Sequence, residues 1–132
     1  MMNLDTPAVE HLNHFTSIIL DSAIQVHKEM GPGLLESVYH HCLISELSNR
    51  GLQVDSMVIV PLHYRGRNLN KNYVVDLLVE REIIVELKSI EGLLPIHDAQ
   101  IISYLKLANK RLGLLINFNV PLLKNGFKRF IN

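Results

Sequence analysis

The stretch that most constrains the fold is residues 73–89, in which charged side chains interrupt two runs of Val, Leu and Ile. Two such runs separated by the turn-like residues 80–82 predict a pair of antiparallel strands with a tight loop. Side chains alternate along a strand, so Glu86 and Lys88 share one face. A three-residue loop places Asp76 opposite Glu86, where paired Cβ atoms lie about 5 Å apart. Two carboxylates and one ammonium are therefore predicted to converge.

The predicted cluster needs a partner, because adjacent carboxylates disfavour joint ionisation and a buried charge must be paired or bind a metal ion. A hard cation such as Mg²⁺ takes oxygen ligands and keeps positions open for water and phosphate. This chemistry favours a Mg²⁺ site beside a lysine. The competing interpretation is an exposed hairpin with a cross-strand salt bridge, a type of pair that contributes little to stability.

Composition favours one globular domain. The chain has 132 residues, 48% of them hydrophobic, and no apolar run reaches the roughly 18 residues of a membrane helix. The first residues lack the basic and apolar segments of a signal peptide. The single Cys42 excludes an internal disulfide and a cysteine-based zinc cluster. We therefore expect a cytoplasmic protein with no membrane partner.

Charge is balanced overall but unevenly distributed along the chain. The formal net charge is zero, from 13 basic and 13 acidic residues, so no global attraction to nucleic acid is indicated. From Arg65 onward, however, 11 basic residues stand against six acidic ones. This basic half is suited to face a polyanion, and the alternative is an ordinary solvated surface.

Periodicity predicts the element order helix, helix, three antiparallel strands, helix, strand, strand. Residues 1–10 are expected to form a flexible N-terminal arm and residues 11–132 a single domain. Pro61 is expected to interrupt the first strand or bend its end. The predicted helices cover about 12–30, 34–49 and 96–108, and the predicted strands about 53–60, 69–79, 83–88, 112–117 and 127–131. The fold class is α/β, with a mixed sheet flanked by helices: a three-stranded antiparallel meander, a crossover helix and a further strand.

Several motifs occur in the order found in one nuclease superfamily. They are Gly-Leu-Leu-Glu-Ser-Val-Tyr at 33–39, Asp76, Glu-Leu-Lys at 86–88, Gln-Ile-Ile-Ser-Tyr at 100–104, and the stretches 113–118 and 126–129. The first matches the GxxExxY signature, the next two resemble an Asp…Glu-x-Lys core, and the fourth is similar to the Gln-x-x-x-Tyr helix motif of the RecB-like branch. The chain thus resembles the GxxExxY family of the PD-(D/E)xK nucleases, whose core is restriction-endonuclease-like.

The resemblance assigns roles at the cluster. It implies that Asp76, Glu86 and the carbonyl of Leu87 hold Mg²⁺ or Mn²⁺. Glu36 would reach the same site directly or through a water. Lys88 would orient the attacking water and stabilise charge on the phosphate.

The resemblance also implies supporting residues. Gln100 and Tyr104 would brace the site or hold the substrate backbone. From the residues themselves, Gly33 is expected to serve the backbone at the turn between helices. Tyr39 is expected to lie in the core or next to the site, where its hydroxyl would bond a site carboxylate. Without the resemblance, Glu36 complements a helix dipole, and Gln100 and Tyr104 are ordinary helix residues.

The implied function is metal-dependent phosphodiester hydrolysis of nucleic acid, with DNA as the expected substrate and a homodimer as a possible assembly. One alternative is a catalytically silent module of the same fold that binds nucleic acid or a protein partner. Another is a structural or toxin-type subunit that acts as an oligomer. The pair His40 and His41 is expected at the surface and His97 close to the cleft, and no His-x-x-x-His or Cys-x-x-Cys spacing supports zinc.

Overall fold

The computed structural model describes residues 7–132 and shows a five-stranded mixed sheet packed between helices. The helices are α1 (Pro7–Glu10), α2 (Asn13–Met30), α3 (Glu36–Asn49) and α4 (Pro95–Leu107). The strands are β1 (Val54–Tyr64), β2 (Arg67–Val79), β3 (Ile83–Lys88), β4 (Leu112–Asn117) and β5 (Phe127–Ile131), with a short 3-10 helix (Leu123–Gly126) before β5. The predicted α/β class is confirmed.

The strand order is β1-β2-β3-β4-β5, so every strand lies beside its neighbour in sequence. β3 and β4 are parallel and are joined through α4, whereas the other neighbouring pairs are antiparallel. Val79 pairs with Ile83, which leaves the predicted three-residue loop between β2 and β3. Leu77 pairs with Val85, and the next position along this register sets Asp76 opposite Glu86, as predicted.

The central strand β3 is buried on both faces and divides the core into two layers. Ile83, Val85 and Leu87 pack in the layer that contains α2 and α3. Ile84 packs in the layer that contains α4. Because side chains alternate along a strand, Glu86 and Lys88 follow Ile84 onto the α4 face at the end of β3.

β1 extends beyond its predicted end at Val60. It continues through Pro61, which pairs with Asn72, and the register shifts between Pro61 and His63. β1 is an edge strand. A proline is tolerated there because its missing N–H can face away from the ladder.

The N-terminal segment was predicted as an arm over residues 1–10. Residues 1–6 lie outside the described part of the chain. Residues 7–10 form α1, in which Val9 is fully buried. Among residues 7–132, no helix is both long and apolar enough to cross a membrane.

Gly126 allows the chain to pass close to the end of β4. A Cβ at this position would overlap the Asn117 carbonyl oxygen and lie 3.2 Å from Val120 Cγ2. Because the first of these atoms is backbone, the strand end would have to move. We expect Gly126→Ala to lower the free energy of unfolding by about 1 to 3 kcal/mol, seen as a lower urea midpoint at an unchanged m-value.

The matched control for Gly126→Ala is Gly92→Ala. A Cβ at Gly92 would meet no atom within 4 Å, so the midpoint of that variant should stay close to that of the wild type. Equal midpoints for the two variants would contradict the close approach.

Candidate active site

At the end of the β2–β3 ladder, carboxylates replace backbone carbonyls as hydrogen-bond acceptors. The last ladder pair is Leu77 with Val85. Beyond it, the Asp76 N–H donates to Glu86 Oε1 at 3.0 Å, and the Leu87 N–H donates to Asp76 Oδ2 at 2.9 Å. Each carboxylate is anchored to the opposite strand through one oxygen, which leaves its second oxygen for another partner.

Glu86 is the buried member of this pair, with 2% of its surface exposed. Burial raises the pKa of Glu86 to about 9, and the negative charge of Asp76 acts in the same direction. The hydrogen bond from the Asp76 N–H and, to a smaller extent, the charge of Lys88 lower it. Burial and the charge of Asp76 therefore favour the protonated form of the Glu86 carboxyl near neutral pH. A cation that replaced this proton would relieve the repulsion between the two carboxylates.

Glu36 and Lys88 add charge at the rim of the site. Glu36 is the first residue of α3 and is exposed, whereas Lys88 is half-buried at the end of β3. Partial loss of water raises the pKa of Glu36, the charge of Asp76 raises it further, and Lys88 lowers it. Because Lys88 also lowers the pKa of Glu86, the structure brings the four predicted charged side chains within electrostatic reach of one site.

The donor set of this site fits a hard divalent cation that also binds substrate. Among residues 7–132, no three His, Cys, Asp or Glu side chains form a ready-made metal cage. Asp76 and Glu86 supply two carboxylates. The carbonyl of Leu87 points to the same side of β3 as its N–H, which meets Asp76. Mg²⁺ is typically held by one or two carboxylates, with water and substrate phosphate as the remaining ligands.

Gly33 and Tyr39 shape the loop that leads to Glu36. Gly33 has a φ of 89°, in the region that favours glycine. The buried Tyr39 hydroxyl donates to the Gly31 carbonyl at 2.6 Å and accepts from the Leu34 N–H at 3.0 Å. The predicted alternative, in which this hydroxyl bonds a site carboxylate, is wrong. Tyr39 instead ties down the loop just before Glu36.

Removing the hydroxyl of Tyr39 should leave the Gly31 carbonyl and the Leu34 N–H without their partner. We expect Tyr39→Phe to lower the free energy of unfolding by about 1 to 3 kcal/mol, because it removes two part-buried hydrogen bonds that each contribute about 0.5 to 1.5 kcal/mol. Urea denaturation measures the loss. Tyr64→Phe is the control, because Tyr64 is 63% exposed. If both variants unfolded at the wild-type midpoint, the hydroxyl would have no role in holding the loop.

Asn117 fixes the segment that follows Lys88, a role that the sequence reasoning missed. Its side chain is buried; Oδ1 accepts from the N–H groups of Ile90 at 3.1 Å and Asn119 at 3.2 Å, and Nδ2 donates to the Ile90 carbonyl at 3.0 Å. The Phe118 N–H donates to the Lys88 carbonyl at 2.9 Å. The signal was an amide side chain at the end of an otherwise apolar strand, where a buried polar group needs bonds.

Two clefts meet the charged cluster, and each takes its name from the nearer helix. The α3 cleft, of about 440 Å³, is lined by Glu36, Ser37, His40, His41, Ser56, Met57 and Asp76. The α4 cleft, of about 470 Å³, is lined by Tyr73, Lys88, Ile96, His97, Gln100 and Tyr104. The cluster therefore has one cleft on its α3 side and a second cleft, lined by two tyrosines, on its α4 side.

The histidines were predicted to lie at the surface, or near the cleft in the case of His97. His40 and His41 both line the α3 cleft, and His40 Nε2 lies 2.8 Å from Ser56 Oγ. The overlooked signal is spacing, because His40 follows Glu36 by four residues and so shares its helix face. His97 lines the α4 cleft, close to Lys88.

Gln100 and Tyr104 lie in the wall of the α4 cleft and bond each other. Gln100 Nε2 donates to the Tyr104 hydroxyl at 3.0 Å. Burial raises the pKa of Tyr104; the hydrogen bond from Gln100 lowers it, and the charges of Glu86 and Asp76 raise it. The Tyr104 phenol therefore stays protonated near neutral pH and lies within electrostatic reach of both carboxylates.

Comparison with known families gives one match. The sequence model of the PD-(D/E)XK nuclease superfamily matches residues 13–130, a range that includes α2 to α4 and nearly all of the sheet. No curated protein and no solved structure matches the chain. The matched range contains all the charged residues of the cluster.

Proposed function

The chain belongs to the PD-(D/E)XK nuclease superfamily, and on that premise we propose that it hydrolyses phosphodiester bonds of nucleic acid, with DNA as its substrate. We further assign it to the GxxExxY family on the motif at residues 33–39. The observation that carries the proposal is the pairing of Asp76 with the buried Glu86 beside Lys88. Such a pair is poorly stable without a cation, and superfamily members generally use divalent metals.

Asp76, Glu86 and the Leu87 carbonyl would hold Mg²⁺ or Mn²⁺, with Glu36 contributing through a water from the rim. The bound ion would polarise the scissile phosphate and make the attacking water more acidic. Glu86 must release its proton to become a ligand, so its carboxyl is the group that changes protonation state when the site fills. Glu36 is placed to accept a hydrogen bond from water, since its carboxyl is exposed.

Lys88 and the α4 side chains would act on the substrate itself. The Lys88 ammonium lies on the same strand face as Glu86 and lines the α4 cleft. It would orient the attacking water and stabilise the negative charge that builds on the phosphate. The protonated Tyr104 phenol, positioned by Gln100, would donate a hydrogen bond to the substrate backbone.

A cleavage assay tests the proposed function. Supercoiled plasmid, circular single-stranded DNA and RNA are incubated with the protein and Mg²⁺ or Mn²⁺, and with EDTA in parallel. The wild type should cut DNA only with a divalent ion and leave 5′-phosphate ends. Asp76→Ala should not cut, whereas Asp21→Ala, an exposed acid of α2, should behave as the wild type.

Two results would count against catalysis. If Asp76→Ala cut DNA as the wild type does, the activity would not come from this site. If no substrate were cut while salt-dependent binding survived in Asp76→Ala, the chain would be a catalytically silent binding module. Sedimentation of the wild type tests the proposed homodimer, for which β1 and β5 offer exposed sheet edges.

A further inference from the structure

The outer part of the β1–β2 hairpin is positively charged, and its side chains are exposed instead of packed in the core. We call residues 64–73 the basic ribbon, since it contains Arg65, Arg67 and Lys71. All ten of its residues are exposed. No acidic residue occurs between Asp55 and Asp76. A ribbon of this charge attracts a polyanion, through contacts that should be salt-dependent.

The basic ribbon ends at the α4 cleft, because its last residue, Tyr73, lines that cleft. The ring centroids of Tyr73 and Tyr104 lie 6.2 Å apart, and the two ring planes make an angle of 52°. We call this pair of rings the aromatic corner. Tyr73 is 42% exposed, whereas Tyr104 is buried, so the accessible aromatic surface belongs mainly to Tyr73. Ile96, 66% exposed, adds an apolar wall.

Polar groups in the same cleft can form hydrogen bonds to a bound ligand. The Leu94 N–H donates to His97 Nδ1 at 2.9 Å. Since that nitrogen accepts, the proton of the neutral ring lies on Nε2, which is a donor. Gln100 adds an amide beside it. The cleft volume of about 470 Å³ falls within the range of small-molecule sites.

We infer that the α4 cleft receives an unpaired nucleobase of the substrate strand, stacked on Tyr73, while the phosphates of that strand run along the basic ribbon. The inference rests on the proposed function, because Lys88 places the cleft next to the bond to be cut. It specifies the substrate class as nucleic acid with an unpaired stretch: a single strand, an overhang or a gap.

The chemistry of the two surfaces favours this ligand. A nucleic-acid strand alternates negative phosphates with flat apolar bases, and the chain presents a basic ribbon that ends at an aromatic corner. In a duplex each base is already stacked on both faces, so Tyr73 cannot stack on it without displacing a neighbour. Base stacking on an aromatic side chain is a sequence-tolerant interaction, which predicts a preference for strand state and not for sequence.

Binding is measured by fluorescence anisotropy of a labelled 12-nucleotide thymidine oligomer and of the matching duplex, in EDTA so that no cleavage occurs. The wild type should bind the single strand more tightly. Tyr73→Val should weaken that binding about tenfold or more, and Tyr73→Phe should retain it because the ring is kept. Valine preserves the strand preference of the site, where residue 73 pairs with Val60. Tyr64→Val removes the other exposed ring of the ribbon (63%), at the end away from the α4 cleft, and should weaken binding far less than Tyr73→Val does.

Abasic oligomers decide whether Tyr73 contacts a base. Removing every base from the oligomer should weaken binding by the wild type, whereas Tyr73→Val should lose little further affinity. If the loss of affinity from base removal and the loss from Tyr73→Val were additive, the inference would be overturned. Equal effects of Tyr73→Val and Tyr64→Val on binding, or tighter binding of the duplex than of the single strand, would also overturn it. If light scattering showed that Tyr73→Val converts a dimer to a monomer, the α4 cleft would be an interface between copies instead.

The outcomes separate this inference from the proposed function. DNA cleavage that does not depend on Tyr73 would leave the nuclease proposal standing and end the base-binding one. Base-dependent binding without cleavage would support the base-binding inference and count against the nuclease proposal. A wild type that bound neither oligomer would overturn the base-binding inference outright.

Discussion

Replacing Lys88 with alanine is expected to slow DNA cleavage about 100- to 1,000-fold, the usual effect of losing one group that stabilises developing charge in the transition state. Lys88 lies at the end of β3 and lines the α4 cleft beside Glu86. It is not a ligand of the proposed cation, because an ammonium has no lone pair to donate. Single-turnover cleavage of labelled DNA measures the loss.

Metal binding should survive Lys88→Ala, since Asp76 and Glu86 remain. The melting temperature of the variant should therefore still rise with Mn²⁺, by mass action. Lys106→Ala, an exposed lysine of α4, controls for loss of positive charge and should cleave normally. A Lys88→Ala protein that cleaved at the wild-type rate would remove Lys88 from the mechanism, and one that lost the Mn²⁺ response would make its role structural.

Glu86→Gln is expected to make the metal-free protein more stable above neutral pH and to remove most of its pH dependence. The pKa of Glu86 is raised from 4.5 to about 9 in the folded protein. The unfolded chain releases this proton above pH 4.5, whereas the folded chain keeps it, so the contribution of Glu86 to stability is greatest at low pH. It should fall by up to about 1.4 kcal/mol per pH unit as the pH rises from 4.5 to 9.

Urea denaturation in EDTA at several pH values tests this linkage. Glu86→Gln cannot ionise at this position, so its stability should fall far less over the same pH window. The two proteins should be nearly equal at pH 4.5 and diverge up to pH 9. Glu91→Gln, at an exposed position in the next loop, should follow the wild type. If the free energy of unfolding changed with pH in the same way for the wild type and Glu86→Gln, Glu86 would not be held protonated in the folded state.

The hairpin at the centre of the fold could be predicted because its determinants are local. Alternation set the face of Glu86 and Lys88, and a three-residue loop set the register that puts Asp76 opposite Glu86. The α/β class followed from the order of the elements, and the superfamily from the order of the motifs, and both are confirmed.

The features that could not be predicted are contacts and clefts between segments that lie far apart in sequence. Tyr39 was expected in the core, but the partners of its hydroxyl lie in a loop whose path follows from the packing of α2 and α3. Pro61 was expected to disturb β1, and it is accommodated because β1 lies at the edge of the sheet. The clefts beside His40 and Tyr73 lie between elements that are far apart in sequence, so no local pattern reveals them.

The most direct test of the central claim, that Asp76 and Glu86 form a cation site, is calorimetric titration of Mn²⁺ into the wild type at pH 7.5 in two buffers of different ionisation enthalpy. We expect one binding site and the release of about one proton per ion, because Glu86 must give up the proton that burial favours. Glu86→Gln should bind weakly and release none. No binding heat in the wild type, or binding without proton release, would contradict the claim.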